Sequence, residues 1–471
     1  MKQPDAYKGR RVVVLGMARS GAAAAKLFHS LGAVVTVNDA KERTACPEAD
    51  ELEALGISVV CGGHPDSLLD GDVALVVKNP GIPYEAPPVR RALELGIEVV
   101  TEVEPAYRVA KAPMVGITGS NGKTTTTTWV GLMLEAAGMK PIVAGNIGTP
   151  LCEAAQEAGE DNWLVVELSS FQLKGTDLFR PRIGALLNVY ETHLDYHGTM
   201  KDYVESKLKL FANQTEDDIA VLNWDDGECR RRASSLRAKL LPFSRKEQLE
   251  HGVFLRRHAE TGRLERDIVY RDEQGELHFI LRATELGLPA EFNIENALAA
   301  AAIALAAGAP IEPVAAALKS FRGVEHRLEY VEEKNGVHYY NNSKATNPAA
   351  TVKALEAFDR KVVLIAGGLD RGMEYTDMVP RLQEHVHAIV TLGETRDKLL
   401  AAAKQAGIEK AVAIDGAGKS AAETLDEAVR AAAGMAGSGD IVLLSPACAS
   451  WDMFPSFEER GSMFKKSVHT L

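Results

Sequence analysis

The residues best suited to chemistry form one run, Gly116-Ile117-Thr118-Gly119-Ser120-Asn121-Gly122-Lys123-Thr124-Thr125. A short apolar stretch, Pro113 to Ile117, precedes it and reads as a buried strand. After it Trp129, Leu132, Met133, Ala136 and Ala137 fall on one helical stripe, which Gly138 can terminate. In a strand–loop–helix context, glycines let backbone N–H groups turn inward, and the helix N-terminus adds partial positive charge. The chemistry predicted is phosphate binding, with Lys123 reaching the outer phosphates and the Thr124 hydroxyl ligating Mg²⁺. The run departs from the strict G-x-x-x-x-G-K-[ST] pattern, because Ile117 stands where the first glycine should be and five residues separate Gly116 from Gly122. A bare Gly-Lys-Thr would equally suit a turn with a solvated lysine. Here the strand, the second glycine and the helix agree on a nucleotide.

Further candidates lie at the ends of apolar strands. Glu167 closes Trp163–Glu167, where an unpaired carboxylate would be costly unless a hard cation or a basic side chain met it. Asn146 lies in Gly145-Asn146-Ile147-Gly148. His193 and His197 are four apart, as in a zinc pair, but Leu194 follows His193, so the H-E-x-x-H general base is missing. The better reading is one functional histidine, His193, near the phosphates, with His197 on the surface.

The elements that must position these residues read as three α/β units. Residues 1–101 alternate strands (Arg11–Leu15, Val34–Asn38, Ile57–Val60, Ala74–Val77, Glu98–Val100) with helices, a parallel Rossmann-like unit. Its first turn, Gly16-Met17-Ala18-Arg19-Ser20-Gly21, lacks the G-x-G-x-x-G fingerprint, since Val14 and Arg19 hold two of the glycine positions. Asp39 sits where a ribose or uridine ligand is often met, although a solvated acid beside a tight turn fits as well. Asn79-Pro80-Gly81-Ile82-Pro83 is a second loop at the same edge.

Residues 102–322 form the central unit, a P-loop ATPase-type parallel sheet with strands at Pro141–Ala144, Trp163–Glu167, Ile183–Asn188 and Ile219–Asn223. Residues 225–290 are charge-rich, with a hairpin at Asp272–Glu276, and read as an excursion from the sheet. A helix follows from Asn293 to Ala307, and Asn293 and Asn296 near its start suit capping. Residues 323–471 form a third, Rossmann-like unit with strands at Lys361–Ala366, Ala388–Leu392, Ala411–Ile414 and Asp440–Leu444 and a helix at Ser420–Ala433. Its loops at 341–347, 367–371 and 445–457 carry hydroxyls, cations and small residues of the kind an anionic ligand needs.

Composition bounds the reading. The chain has 471 residues, enough for about three domains. Apolar content of 46% and charged content of 25% are ordinary for a soluble protein. A formal net charge of −12 argues against a general nucleic-acid binder. Five scattered cysteines, without C-x-x-C spacing, fit a reducing compartment. The longest apolar stretch, Ala297 to Ala307, is about half a membrane span. No signal peptide is apparent, and a cytoplasmic protein without membrane or nucleic-acid partners is expected.

Taken together these stretches resemble the Mur ligases, the ATP-dependent amide-bond ligases of peptidoglycan precursor synthesis, over nearly the whole chain. Thr118–Thr125 matches that family's form of the phosphate loop, and Glu167, His193 and Lys207 fall at matching positions. The resemblance implies ATP on Gly119, Ser120, Asn121, Gly122, Lys123, Thr124, Thr125 and Thr126. It also implies two Mg²⁺ sites drawing on Thr124, Glu167, His193 and Lys207, with Lys207 carbamylated by CO₂. On the bare sequence Lys207 would be one more exposed helix lysine.

Asn342-Ser343-Lys344-Ala345-Thr346-Asn347 and Ser445-Pro446-Ala447-Cys448-Ala449-Ser450 are similar to the D-glutamate-adding branch, except that Asn342 stands where the family usually has Asp. That acid is associated with the nucleotide ribose, and an amide brings no charge there. By this resemblance Gly16, Asp39, Asn79 and Gly81 hold the UDP of UDP-N-acetylmuramoyl-L-alanine, and Asn146 and His193 face its muramoyl-alanine part. Lys344, Thr346, Arg371, Ser450 and Phe457 hold D-glutamate, while Asn293, Arg327 and Asn342 serve the nucleotide. Carboxylate activation through an acyl phosphate is implied, with closure of the third unit assembling the site. Small-molecule substrates are the expected partners and a monomer the expected state. Another Mur-type or folylpolyglutamate-synthase-like ligase, and a non-catalytic nucleotide-binding protein or a dehydrogenase, stay open beside this reading.

Overall fold

A computed structural model describes residues 3–260, 263–288, 291–358 and 360–471. Its first sheet is built from β1 (Arg11–Leu15), β2 (Val34–Asp39), β3 (Ser58–Cys61), β4 (Val73–Lys78) and β5 (Val99–Val100). They lie in the order β3-β2-β1-β4-β5, with every neighbour parallel. Arg-Val-Val-Val-Leu in β1 is buried after its first residue, as expected of a strand covered on both faces. The alanine-rich helix Arg19–Ser30 covers one face, burying Ala22 to Ala25, Leu27 and Phe28.

The second sheet contains β6 (Met114–Thr118), β7 (Pro141–Gly145), β8 (Trp163–Glu167), β9 (Ile183–Leu186), β10 (Ile219–Asn223) and β11 (Lys239–Ser244). It continues through β12 (Gly252–Glu260), β13 (Arg263–Arg271) and β14 (Leu277–Arg282). The nine strands run β14-β13-β12-β11-β10-β9-β6-β8-β7. Residues 225–290 are therefore not an excursion. Val253 and Phe254 of β12 pair parallel with Phe243 and Ser244 of β11, and β13 and β14 add antiparallel at the edge. Both faces are buried: Phe254 pairs with Val269 on one, and Leu255 and Leu281 flank Ile268 on the other. The charged residues that interrupt these short apolar pieces hide the strands in the sequence, although the turn at Asp272–Glu276 is where it is expected, closed by Asp272 N–H on the Glu276 carbonyl.

The third sheet comprises β15 (Glu329–Lys334), β16 (Val337–Asn341), β17 (Val362–Gly367), β18 (Val386–Leu392), β19 (Lys410–Ala413) and β20 (Ile441–Leu444), in the order β15-β16-β20-β17-β18-β19. Only the β15–β16 hairpin is antiparallel.

The chain divides into two compact units, Met1–Glu285 with Glu295–Leu318, and Leu286–Ile294 with Lys319–Leu471. In the first unit, the first two sheets share one apolar core that runs from Val12 and Val14 through Leu151 and Leu164 to Leu186 and Ala220. Among the described residues no helix is long and apolar enough to cross a membrane.

Candidate active site

In an open parallel sheet the ligand crevice lies at the carboxyl ends of the strands, where the connections change direction. In the second sheet that point is β6, flanked by β8 and β9, and the phosphate loop leaves β6 there. Gly122 adopts a left-handed conformation (φ 81°) and caps the helix Lys123–Ala136, a geometry that favours glycine. A Cβ on Gly122 would collide with the Asn296 carboxamide, and one on Gly119 would lie 2.9 Å from Leu187 Cβ.

The segment after β9 clamps the loop. Asn121 N–H donates to Asn188 Oδ1 (2.9 Å), and Asn188 Nδ2 donates to the Asn121 carbonyl (3.3 Å). Tyr190 N–H donates to Ser120 Oγ (2.9 Å), which also bonds the Tyr203 hydroxyl (2.8 Å). Lys123 Nζ donates to the carbonyls of Gly119 (2.8 Å) and Ser120 (3.1 Å). Thr124 and Thr125 follow in the first helical turn, half-buried, and Thr126 is fully buried.

Lys207 is not the exposed helix lysine that the bare sequence suggests. It lies near the end of the helix Met200–Leu208 and is 1% exposed. Its Nζ donates to the Gly119 carbonyl (2.9 Å) and Thr118 Oγ1 (3.3 Å) and sits 4.7 Å from the centre of the Tyr203 ring. Burial, and then the neighbouring Lys123 charge, push its pKa well below that of an ordinary lysine. The amine is thereby held toward its neutral, nucleophilic form.

Glu167, at the end of β8, is 1% exposed. Asn146 Nδ2 donates to its Oε1 (2.7 Å), while Oε2 is buried without a hydrogen-bond partner. A hard cation would satisfy a buried carboxylate oxygen that has no donor, so Glu167 fits a Mg²⁺ ligand. Among the described residues no basic side chain takes that role.

His193 begins the short helix Leu194–His197 in a left-handed conformation (φ 59°), edge-on to Phe171 at 5.0 Å. His197 corrects the expectation of a surface residue, because it is 6% exposed. Its Nδ1 bonds Asp202 (2.6 Å), its Nε2 bonds Ser170 Oγ (2.9 Å), and its ring stacks on Phe171. Both nitrogens are used within the fold, and burial lowers its pKa.

The first sheet brings its candidates together at β1 and β4, where its own strand order changes direction. Gly16 (φ 89°) packs so closely that a Cβ would lie 2.7 Å from Asn79 Cβ. Asp39 Oδ2 accepts from Met17 N–H (2.8 Å), Asn79 Oδ1 accepts from Gly81 N–H (3.1 Å), and Asn79 Nδ2 donates to Ser20 Oγ (3.3 Å). Arg19 reaches the Gly148 carbonyl beside Asn146 (3.2 Å), joining this edge to the second sheet.

In the second unit the loops after β16, β17 and β20 meet. Asn342 is 6% exposed, with Nδ2 donating to Ser445 Oγ (3.0 Å) and Oδ1 accepting from Leu328 N–H (3.2 Å). Its amide thus braces the loop that presents Arg327, which is itself exposed. The exposed Lys344 ammonium lies 5.6 Å from the Phe457 ring centre and the exposed Arg371 guanidinium 5.0 Å from that of Trp451. Thr346 is half-buried beside Lys344, and Ser450 is 2% exposed, its carbonyl accepting from Met453 and Phe454. Asn293 falls inside the first turns of the helix Glu291–Ala306, which starts earlier than expected, so neither it nor Asn296 is a cap.

Sequence reasoning missed three residues. Asn188 ends an apolar run as Glu167 does, a signal available to the same argument. Asn296 left none, since its contact with Gly122 is long-range. Arg460 reads as an ordinary helix arginine, yet it is 2% exposed and bonds Ser343 Oγ (2.9 Å), the Ser343 carbonyl (2.9 Å) and the Cys448 carbonyl (3.2 Å). Burial lowers its pKa to about 10.

This arrangement can hold a nucleotide triphosphate against a cation site in the first unit and present cations to an anion in the second. Comparison with known proteins agrees. Family models match in three consecutive blocks: a Mur ligase MurD-like N-terminal domain over residues 10–101, a Mur ligase middle domain over 117–304, and a Mur ligase glutamate ligase domain over 326–448. Curated relatives named UDP-N-acetylmuramoylalanine–D-glutamate ligase include those of Geobacillus sp. (strain WCH70), 48% identical, and Geobacillus kaustophilus, 49% identical, each aligned over all of both chains. Among solved structures, the UDP-N-acetylmuramate–alanine ligase of Thermotoga maritima shares the fold at 18% identity and a TM-score of 0.54, covering 98% of this chain and 99% of that one. From the phosphate loop to the loops after β20, the chain belongs to the Mur ligase family.

Proposed function

We propose that the chain is an ATP-dependent ligase that joins D-glutamate to UDP-N-acetylmuramoyl-L-alanine in the cytoplasm. The observation that carries the reading is the pairing, at one sheet edge, of a lysine-bearing phosphate loop with the partnerless Glu167 oxygen. The backbone N–H groups of Gly122 to Thr125, at the start of the helix, receive the phosphates, and Lys123 exchanges its loop carbonyls for phosphate oxygens. Glu167 Oε2 and the Thr124 hydroxyl would hold Mg²⁺, which when bound offsets charge on the phosphate oxygens. His193 and Lys207 would hold a second cation. CO₂ adds to the neutral Lys207 amine, with loss of one proton, to give a carbamate that turns a donor into an anionic ligand.

The uridine diphosphate end of the acceptor is held by the Gly16 turn, Asp39 and the Asn79–Gly81 loop, which places its alanyl carboxylate toward Asn146 and His193. A carboxylate oxygen attacks the terminal phosphorus of ATP, the bond to ADP breaks, and an acyl phosphate forms. The D-glutamate amine, oriented by Lys344, Thr346, Arg371, Ser450 and Phe457, attacks the acyl carbon. The tetrahedral intermediate collapses with loss of phosphate and the amine proton. Asn293, Arg327 and Asn342 serve the nucleotide, Asn342 through its brace on the Arg327 turn.

The test is phosphate release from ATP with UDP-N-acetylmuramoyl-L-alanine present, comparing D-glutamate with L-glutamate, D-alanine and meso-diaminopimelate. Release that needs both substrates and prefers D-glutamate is expected. Preference for another amine would overturn the assignments in the second unit, and no release with any amine would overturn the ligase reading.

A further inference from the structure

One buried cation takes no part in the chemistry described so far. Lys78 ends β4 immediately before the Asn79–Pro83 loop, and it is 1% exposed. Its ammonium donates to the carbonyls of Ile82 (2.8 Å) and Pro80 (3.3 Å) and to the Tyr196 hydroxyl (3.1 Å). None of these oxygens is a carboxylate. The Tyr196 hydroxyl turns to the same Pro80 carbonyl (3.1 Å), so lysine and tyrosine hold the loop jointly.

A buried ammonium is costly, and here aromatic faces offset part of the cost. Lys78 Nζ lies 4.7 Å from the Tyr84 ring centre, and Lys174 Nζ lies 5.4 Å from the same ring. Lys174 is anchored by Asp202 (2.7 Å), which also receives His197. Tyr196 packs edge-on to Phe171 at 4.4 Å, and Phe171 packs on His193. Lys78 and Tyr196 therefore stand between two halves of the acceptor site, the Asn79–Gly81 loop on the first sheet and His193 on the second.

We propose that Lys78 and Tyr196 are positioning residues that lock the 79–83 loop to the His193 segment, so that binding of the nucleotide end of the acceptor sets where its carboxylate is activated. The proposal rests on the ligase reading for its kinetic consequences but not for its structural ones. Burial, with Lys174 adding to it and Glu85 opposing, brings the Lys78 pKa down to about 8. The other titratable groups facing it are Tyr84, raised to about 12, Tyr196, raised further, and Asp202. The Lys78 charge therefore changes near pH 8.

The experiment compares Lys78→Met, Tyr196→Phe and the double variant in the full-length protein. Lys78→Met is expected to raise KM for the UDP substrate about tenfold and lower kcat several-fold, with KM for ATP and D-glutamate within twofold of the parent. Tyr196→Phe should move the same constants less, and the double variant should be little worse than Lys78→Met because both remove one lock. KM for the UDP substrate should rise above about pH 8 in the parent and stay flat in Lys78→Met. Amide hydrogen exchange, read without substrates, should quicken together in residues 79–83 and 194–197. Kinetic constants within twofold of the parent, or exchange unchanged in both segments, would overturn the lock. Should the parent show no D-glutamate-dependent release, the ligase reading fails and the exchange result still decides the lock. If Lys78→Met does not fold, the same kinetic and exchange readings on Tyr196→Phe decide it.

Discussion

The two compact units prepare for charged ligands in opposite ways. In the first, the cations are turned inward. Lys123 and Lys207 both bond the Gly119 carbonyl, Lys207 is sealed from solvent, and the loop is pinned by Asn188 and Tyr203. In the second, Lys344 and Arg371 stand exposed over Phe457 and Trp451, and the rigidity lies one layer beneath, in Arg460 and Asn342. The first arrangement suits a ligand whose phosphates replace the backbone carbonyls at Lys123. The second leaves cations solvated until a small anion arrives, which keeps each contact modest in energy. Preorganisation is thus in the contacting residues of one unit and in the supporting residues of the other.

The comparison is broken most severely by Lys123→Ala. Loss of a preorganised cation at the transferring phosphoryl group is expected to lower ATP turnover by about 10²–10³-fold, measured as phosphate release. Arg460→Ala comes next. Stranding the Ser343 and Cys448 carbonyls should destabilise the second unit by about 3 kcal/mol, seen as an earlier denaturant transition, with amide hydrogen exchange in the phosphate loop of the first unit unchanged. If exchange in that loop quickens equally, the division of labour between the units is wrong.

Removing an exposed cation should cost less. Lys344→Ala and Arg371→Ala are each expected to raise KM for D-glutamate by about tenfold, in keeping with a charge-assisted hydrogen bond of about 1.5 kcal/mol. KM for ATP should not move. Smallest is a change away from both sites. Glu102 is 2% exposed and accepts Leu151 N–H through Oε1, with its other oxygen unpartnered. Burial raises its pKa from 4.5 to about 8. The folded state then holds a proton that the unfolded state releases, so its contribution to stability is full below about pH 4.5 and is lost as pH rises toward 8. Glu102→Gln should flatten that fall and gain about 1 kcal/mol at pH 8, measured by thermal melting across pH.

Much of this can be read along the chain. The strands β1, β8 and β10 lie where the apolar runs place them, and Lys123, Glu167 and Asn146 meet at one edge as the parallel pattern requires. Strands β15 and β16 give no such signal, because their alternating charged and aromatic residues carry no continuous apolar run. His197 reads as a surface residue because its neighbours in sequence are polar, while the residues that bury it, Phe171 and Ser170, lie more than twenty positions away.

The sequence by itself determined the phosphate loop, the parallel cores of the three sheets and the edges at which polar residues gather, because glycine placement and apolar periodicity are local properties of the chain. Only the tertiary structure decided which cations are buried. Lys78, Lys207 and Arg460 look like any surface lysine or arginine until distant segments close over them. Desolvation then lowers their pKa values and forces each to find oxygens, which for Lys207 and Arg460 come from segments elsewhere in the fold and for Lys78 from its own loop and the distant Tyr196.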